Sequence, residues 1–165
     1  MASKKQIEST ICEEGNWYWV PEYKVMLVRD SNGGAKATGK KKALTTPDAV
    51  AEIFRTYLDG ADREHFCIAL LDRKGHILGI NTVSIGSLSS SIVHPREVFK
   101  PALILGAASI ILCHNHPSGD TTPSKEDLEV TNRLIEAGKI IGIEILDHVI
   151  IGDDDFCSLK ARGFI

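Results

Sequence analysis

The sequence predicts a mixed α/β domain, an α+β sheet with flanking helices. Three features carry that expectation: two β-forming apolar runs joined by a tight-turn sequence, proline-marked helix starts ahead of segments with helical periodicity, and buried strands that follow those helices. The predicted order is β-α-β-β-α-β-α-β-β, in which hairpins and crossovers coexist.

Taken in order, Tyr23 to Arg29 alternates and is rich in β-formers, with Trp17, Tyr18 and Trp19 ahead of it, so a first strand is expected there. Ser31 to Lys42 is rich in glycine and lysine and reads as a loop. Thr46-Pro47-Asp48 places an N-cap residue before a proline at the first helical position, and Val50, Ile53, Phe54, Tyr57 and Leu58 follow at helical spacing, up to a stop near Gly60. Glu64 to Leu71 and His76 to Ser84 are apolar runs separated by Asp72-Arg73-Lys74-Gly75, a hairpin composition. Pro95 opens a second helix through about Leu105, Ala107 to Cys113 reads as a buried strand, and Pro123-Ser124 opens a third helix expected to end near Gly138. Ile140 to Ile151 and Phe156 to Leu159 complete the set as strands. The organisation expected is an extension over residues 1–45, with one strand and the Gly/Lys loop, followed by a single domain over 46–165.

Composition bounds the function. With 43% hydrophobic and 25% charged residues, the chain has the make-up of a globular domain rather than a disordered or fibrous one. The longest apolar stretch, Pro101 to Cys113, is too short for a membrane span, and no secretory leader pattern opens the chain, so a cytoplasmic location is expected. Cys12, Cys67, Cys113 and Cys157 form no C-x-x-C pair and read as reduced, mostly buried thiols. Residues 1–42 carry 8 basic and 5 acidic side chains, and residues 43–165 carry 11 and 17. An acidic core disfavours DNA as the partner, because gripping a phosphate backbone needs a basic face.

The chemistry concentrates after the buried strand. Side chains two apart on an extended chain point to the same side, so His114 and His116 can converge on one ion while Asn115 turns away and Cys113 faces the core. Pro117 and Gly119 turn the chain, and the helix that follows carries Asp127 in its first turn. Two imidazoles and a carboxylate are the three protein ligands that leave zinc's fourth position open in catalytic sites. Glu64, at the start of the strand after the first helix, is the candidate general base, against the alternative of a solvated strand-start residue. Ser124-x-x-Asp127 also reads as a capping box, a rival use for the same carboxylate that metal ligation would weaken. His65 is expected to face away, His94 to act at a helix start, and His148 to form a buried pair with Asp147 or to support the site from behind.

The run His114-x-His116-Pro117, with Ser124 and Asp127 following, resembles the His-x-His-x10-Asp signature of the JAB/MPN (JAMM) zinc metallopeptidases, which carry a glutamate on an early strand. Val93 to Lys100, His114 to Asp120 and Asp147 to Gly152 resemble the RadC-type branch of that family. The resemblance covers residues from about 46 to the C-terminus. It implies an MPN/JAB-like, cytidine-deaminase-like three-layer fold and one zinc ion per chain held by His114, His116 and Asp127. It further implies that Glu64 handles the proton, that Ser124 supports the oxyanion, and that a zinc-activated water hydrolyses a peptide or isopeptide bond in a protein or peptide substrate. Residues 1–45 are too short for the helix-hairpin-helix module of the full-length RadC pattern. The rival readings are a DNA-repair accessory factor and a non-catalytic zinc-containing binding module. A zinc deaminase would need H-x-E and P-C-x-x-C elements, which the sequence lacks. Substrate specificity is expected in the loops Gly86 to Ser91 and Gly119 to Pro123.

Overall fold

Thr46 caps the first described helix: its side chain accepts the Ala49 N–H, and Pro47 follows at the position where a missing N–H costs nothing. The computed structural model describes residues 43–86 and 93–165, so the strand expected over Tyr23 to Arg29 and most of the Gly86 to Ser91 loop lie outside the described residues. The elements are α1 (Pro47–Tyr57), β1 (His65–Leu71), β2 (Ile77–Ile85), α2 (Pro95–Leu105), β3 (Ser109–Asn115), α3 (Lys125–Ile141), β4 (Glu144–Ile151) and β5 (Phe156–Ser158). They match the expected order from the first helix onward. None of the described helices is long and apolar enough to cross a membrane.

The strands form one sheet in the order β2-β1-β3-β4-β5. Its pairs are antiparallel except β3 with β4, which run parallel because α3 connects them as a crossover. At the β1–β2 hairpin, Asp72 Oδ1 accepts the N–H groups of Lys74 (2.7 Å) and His76 (2.9 Å), and Gly75 supplies the positive φ of 75° that the turn requires.

Strand alternation divides the core into two layers. Phe66, Ile68 and Leu70 of β1 and Ile110 and Leu112 of β3 pack under α2 and α3, with Phe99, Val130 and Leu134. Cys67, Ala69, Leu71, Ile111 and Cys113 face the other way, against Val50, Ala51 and Phe54 of α1. The sheet is thus sandwiched between α1 and the α2/α3 pair, a three-layer α+β arrangement. Cys113 lies in the α1 layer as its place on the strand required.

Three expected boundaries are corrected. The third helix does not stop at Gly138 but runs to Ile141, where Gly142 at φ 81° caps it and donates to the Gly138 carbonyl. Gly138 is there for space: a Cβ at this position would lie 2.6 Å from the Ile143 carbonyl oxygen and 3.3 Å from the Phe99 ring. The following strand therefore begins at Glu144 rather than Ile140. The buried strand also extends further than Cys113, so that His114 belongs to β3 itself.

Candidate metal centre

The centre lies where the C-terminal end of β3 meets the N-terminus of α3. His114 is fully buried on the same sheet face as Ile110 and Leu112, and the Phe66 ring lies over it at a centroid distance of 6.3 Å and an interplanar angle of 19°. His116 follows just past the strand, anchored by its own N–H to the Ile151 carbonyl (2.9 Å). The two imidazoles converge as their spacing predicted: His114 Nε2 is 2.9 Å from His116 Nε2. Asn115, between them, points away and clamps the approach to β1, accepting the His65 N–H (2.8 Å) and donating to the Arg63 carbonyl (3.0 Å).

Asp127 completes the group from the first turn of α3, where the positive end of the helix dipole favours a carboxylate. Its two oxygens have different duties. Oδ2 accepts the Ser124 N–H (2.7 Å) and the Ser124 hydroxyl (2.7 Å), while Ser124 Oγ in turn accepts the Asp127 N–H (3.1 Å), so the capping box is complete. Oδ1 lies 3.3 Å from His114 Nε2, and Oδ2 lies 3.6 Å from His116 Nε2. Oδ2 thus serves the helix cap and also lies nearest His116, whereas Oδ1 faces His114.

Glu64 precedes β1 by one residue, held in register by the Gly86 N–H donating to its carbonyl (2.8 Å). Its carboxylate joins His114, His116 and Asp127 in a group whose ligand atoms all lie within 4.8 Å of one another and which could hold a metal ion. The donor set fits such an ion. Two imidazole nitrogens 2.9 Å apart, between two carboxylates, are an arrangement that a cation stabilises, and the group mixes the nitrogen and oxygen donors that zinc accepts.

The local electrostatics follow from burial and pairing. Burial drives His114 well below the ordinary imidazole range, with His148 adding to the effect and the Asp127 charge opposing it. His116, less buried, is shifted up, first by its interaction with Asp127 and also by the Asp120 carbonyl and the charges of Asp127 and Glu64. Burial works against the Asp127 carboxylate, but His116, His114 and the two Ser124 donors outweigh it and hold the group below the usual carboxylate range. Its charge is thus favoured in a buried place.

The remaining histidines separate cleanly. His65 bonds the Arg63 carbonyl and stands outside the group. His94 caps α2, its Nδ1 accepting the Arg96 N–H at 3.1 Å. His148, fully buried on β4, is hydrogen-bonded to His114, with its Nε2 2.8 Å from His114 Nδ1, and burial pushes it down to about 4. The Asp147 carboxylate accepts the His148 main-chain N–H (2.7 Å), Ser158 Oγ–H (2.6 Å) and the Lys160 N–H (3.1 Å), while the His148 ring turns to His114. Of the two roles open to His148, the structure therefore places it behind His114. Thr131, which the sequence reading did not single out, joins it at 2.6 Å between Oγ1 and His148 Nδ1. The available signal was its i+4 spacing from Asp127, which puts both on one helix face.

A family profile described as the RadC-like JAB domain matches residues 44–164. The chain belongs to the RadC-like JAB family. Among its relatives, a UPF0758 protein of Syntrophomonas wolfei is 64% identical over 118 residues, covering 72% of this chain and 50% of that protein. A UPF0758 protein of Caldanaerobacter subterraneus is 54% identical over 126 residues, covering 76% of this chain and 54% of that protein. One from Desulforamulus reducens is 57% identical over 119 residues, covering 72% and 52% respectively. The chain thus spans about half the length of the curated relatives it matches. Within this RadC-like domain, the four-residue group lies in the matched region.

Proposed function

We propose that this domain is a zinc-dependent metallopeptidase that hydrolyses a peptide or isopeptide amide bond. The observation that carries the reading is the convergence of Glu64 with His114, His116 and Asp127 at one end of the sheet. His114 and His116 through Nε2 and Asp127 through Oδ1 would hold the ion, since Asp127 Oδ2 is already committed to Ser124. A zinc ion bound there supplies Lewis acidity and a nucleophilic water at neutral pH.

The chain's own residues supply the rest. Glu64 is the one carboxylate of the group outside the α3 cap, and it takes the proton from the attacking water and passes it to the leaving amine nitrogen. Ser124, beside Asp127, gives its hydroxyl to the oxyanion; this requires the proton that now goes to Asp127 Oδ2 to turn toward the substrate, leaving Ser124 N–H to hold that oxygen. The burial of His114 and Asp127 keeps bulk water from competing for the ligand atoms.

Glu64→Gln tests the assignment, because it preserves size while removing basicity. Zinc should stay bound while turnover of an amide substrate found by screening peptides and isopeptide-linked conjugates falls by about 10²–10⁴-fold. An unchanged rate would give the proton transfer to another group, and loss of zinc would make Glu64 a ligand.

A further inference from the structure

We infer that Thr131 and His148 are positioning residues that fix the tautomer of His114 and so keep its Nε2 lone pair aimed at the metal position. The chain of hydrogen bonds starts at a group that can only accept. The main-chain carbonyl of Asp127 has no proton to give, so the Thr131 hydroxyl, 2.6 Å away, donates to it. A hydroxyl has one proton. Thr131 Oγ1 must therefore accept across its 2.6 Å contact with His148, which places the proton of His148 on Nδ1.

A neutral imidazole carries one N–H, so His148 Nε2 is then a lone pair and accepts from His114 Nδ1 at 2.8 Å. His114 has its proton on Nδ1 in consequence, and its Nε2 is left bare, facing His116 Nε2 and Asp127 Oδ1. Both histidines and Thr131 are fully buried, where water cannot substitute for a missing partner, and each donor along the chain meets one acceptor. Reversing a single bond would set two donors, or two lone pairs, against each other.

His116 is fixed by the same logic in one step, since its Nδ1 lies 2.5 Å from the Asp120 carbonyl oxygen. Among the described residues no carbonyl bonds His114 Nδ1, which borrows one through two side chains. The borrowed carbonyl belongs to Asp127, so the main chain of one proposed ligand sets the proton position of another. Phe66 closes the assembly, its ring edge-on to His148 at a centroid distance of 5.6 Å and an interplanar angle of 76°.

This role presupposes that His114 is a metal ligand, and His114→Ala tests that point separately. The decisive measurement is a long-range proton–nitrogen correlation spectrum of the imidazoles in the 15N-labelled full chain, freed of metal with a chelator. His114 and His148 should both be protonated at Nδ1, and Thr131→Ser, which keeps the hydroxyl, should look the same. Thr131→Val removes the anchor, so both tautomers of His114 should appear. Zinc affinity, measured by competition with a chromophoric chelator, should fall by about 10–100-fold in Thr131→Val and recover in Thr131→Ser. A His114 proton on Nε2 in the metal-free wild-type chain would overturn the inference, as would wild-type zinc affinity in a folded Thr131→Val. If Thr131→Val does not fold, the wild-type spectrum still decides the direction. Undiminished zinc affinity in His114→Ala would instead remove the ligand assignment on which the relay depends.

Discussion

Ser124→Ala and Asp127→Asn should separate the two duties of the Asp127 carboxylate. In Ser124→Ala the Asp127 N–H loses its acceptor at 3.1 Å and the carboxylate loses its hydroxyl donor at 2.7 Å, while the Ser124 N–H remains on Oδ2 at 2.7 Å. Losing an N-cap side chain costs about 1 kcal/mol and losing a hydrogen bond to a charged group about 1.5–3 kcal/mol; allowing for overlap between them, the metal-free domain should lose about 2–3 kcal/mol. For a domain of this size that lowers Tm by about 5–10 °C. Asp127→Asn keeps the shape and a carbonyl acceptor for the cap but removes the charge next to His114 and His116, so zinc affinity should fall by about 100-fold or more while Tm falls less than in Ser124→Ala. Thermal melts of chelator-treated protein followed by circular dichroism, together with zinc competition titrations, should therefore rank the two variants in opposite order. A Ser124→Ala protein that melts with wild type would mean that the box does not hold the first turn of α3. An Asp127→Asn protein that binds zinc like wild type would remove the carboxylate from the ligand set.

Two further outcomes follow from the packing. Gly138→Ala should destabilise by about 1–3 kcal/mol, although alanine is the better helix former by about 1 kcal/mol, because its Cβ would meet the Ile143 carbonyl oxygen at 2.6 Å; a urea unfolding curve shifted to higher midpoint would contradict this. Cys67 and Cys113 should resist alkylation at pH 8 in the native chain and react on unfolding, since burial pushes the Cys67 thiol up to about 11 and that of Cys113 well above its ordinary value; mass spectrometry of the labelled native protein would expose the error if either reacts readily.

The site was legible where local periodicity decides geometry. His114 and His116 share a side because strand alternation has period two, and Asp127 faces them because Pro123-Ser124 marks a helix start just after the turn. The proximity of Glu64 could be guessed from its place at a strand start, but the antiparallel pairing of Phe66 with His114 is what brings it there. His148 could not be assigned, for a definable reason. The β3–β4 register shifts by one residue at Leu146, so that His148 pairs with Leu112 and takes the same face as His114. Without that extra residue the alternation would turn His148 toward α1, and nothing in the local sequence announces the bulge. Gly138 was misread as a helix stop for a related reason: glycine ends helices often, but here the demand comes from Phe99 and Ile143, which only the tertiary fold brings close. His94 shows the opposite case, since the residue before Pro95 caps its helix through contacts no more than two positions away.

Metal analysis of the purified chain beside its His114→Ala and Asp127→Ala variants tests the proposed centre most directly. The wild-type protein should carry about one zinc ion per chain, and each variant should lose most of it while keeping its fold, because a three-ligand site does not survive the loss of one ligand. Full zinc occupancy in both folded variants would contradict the assignment of the metal to these residues.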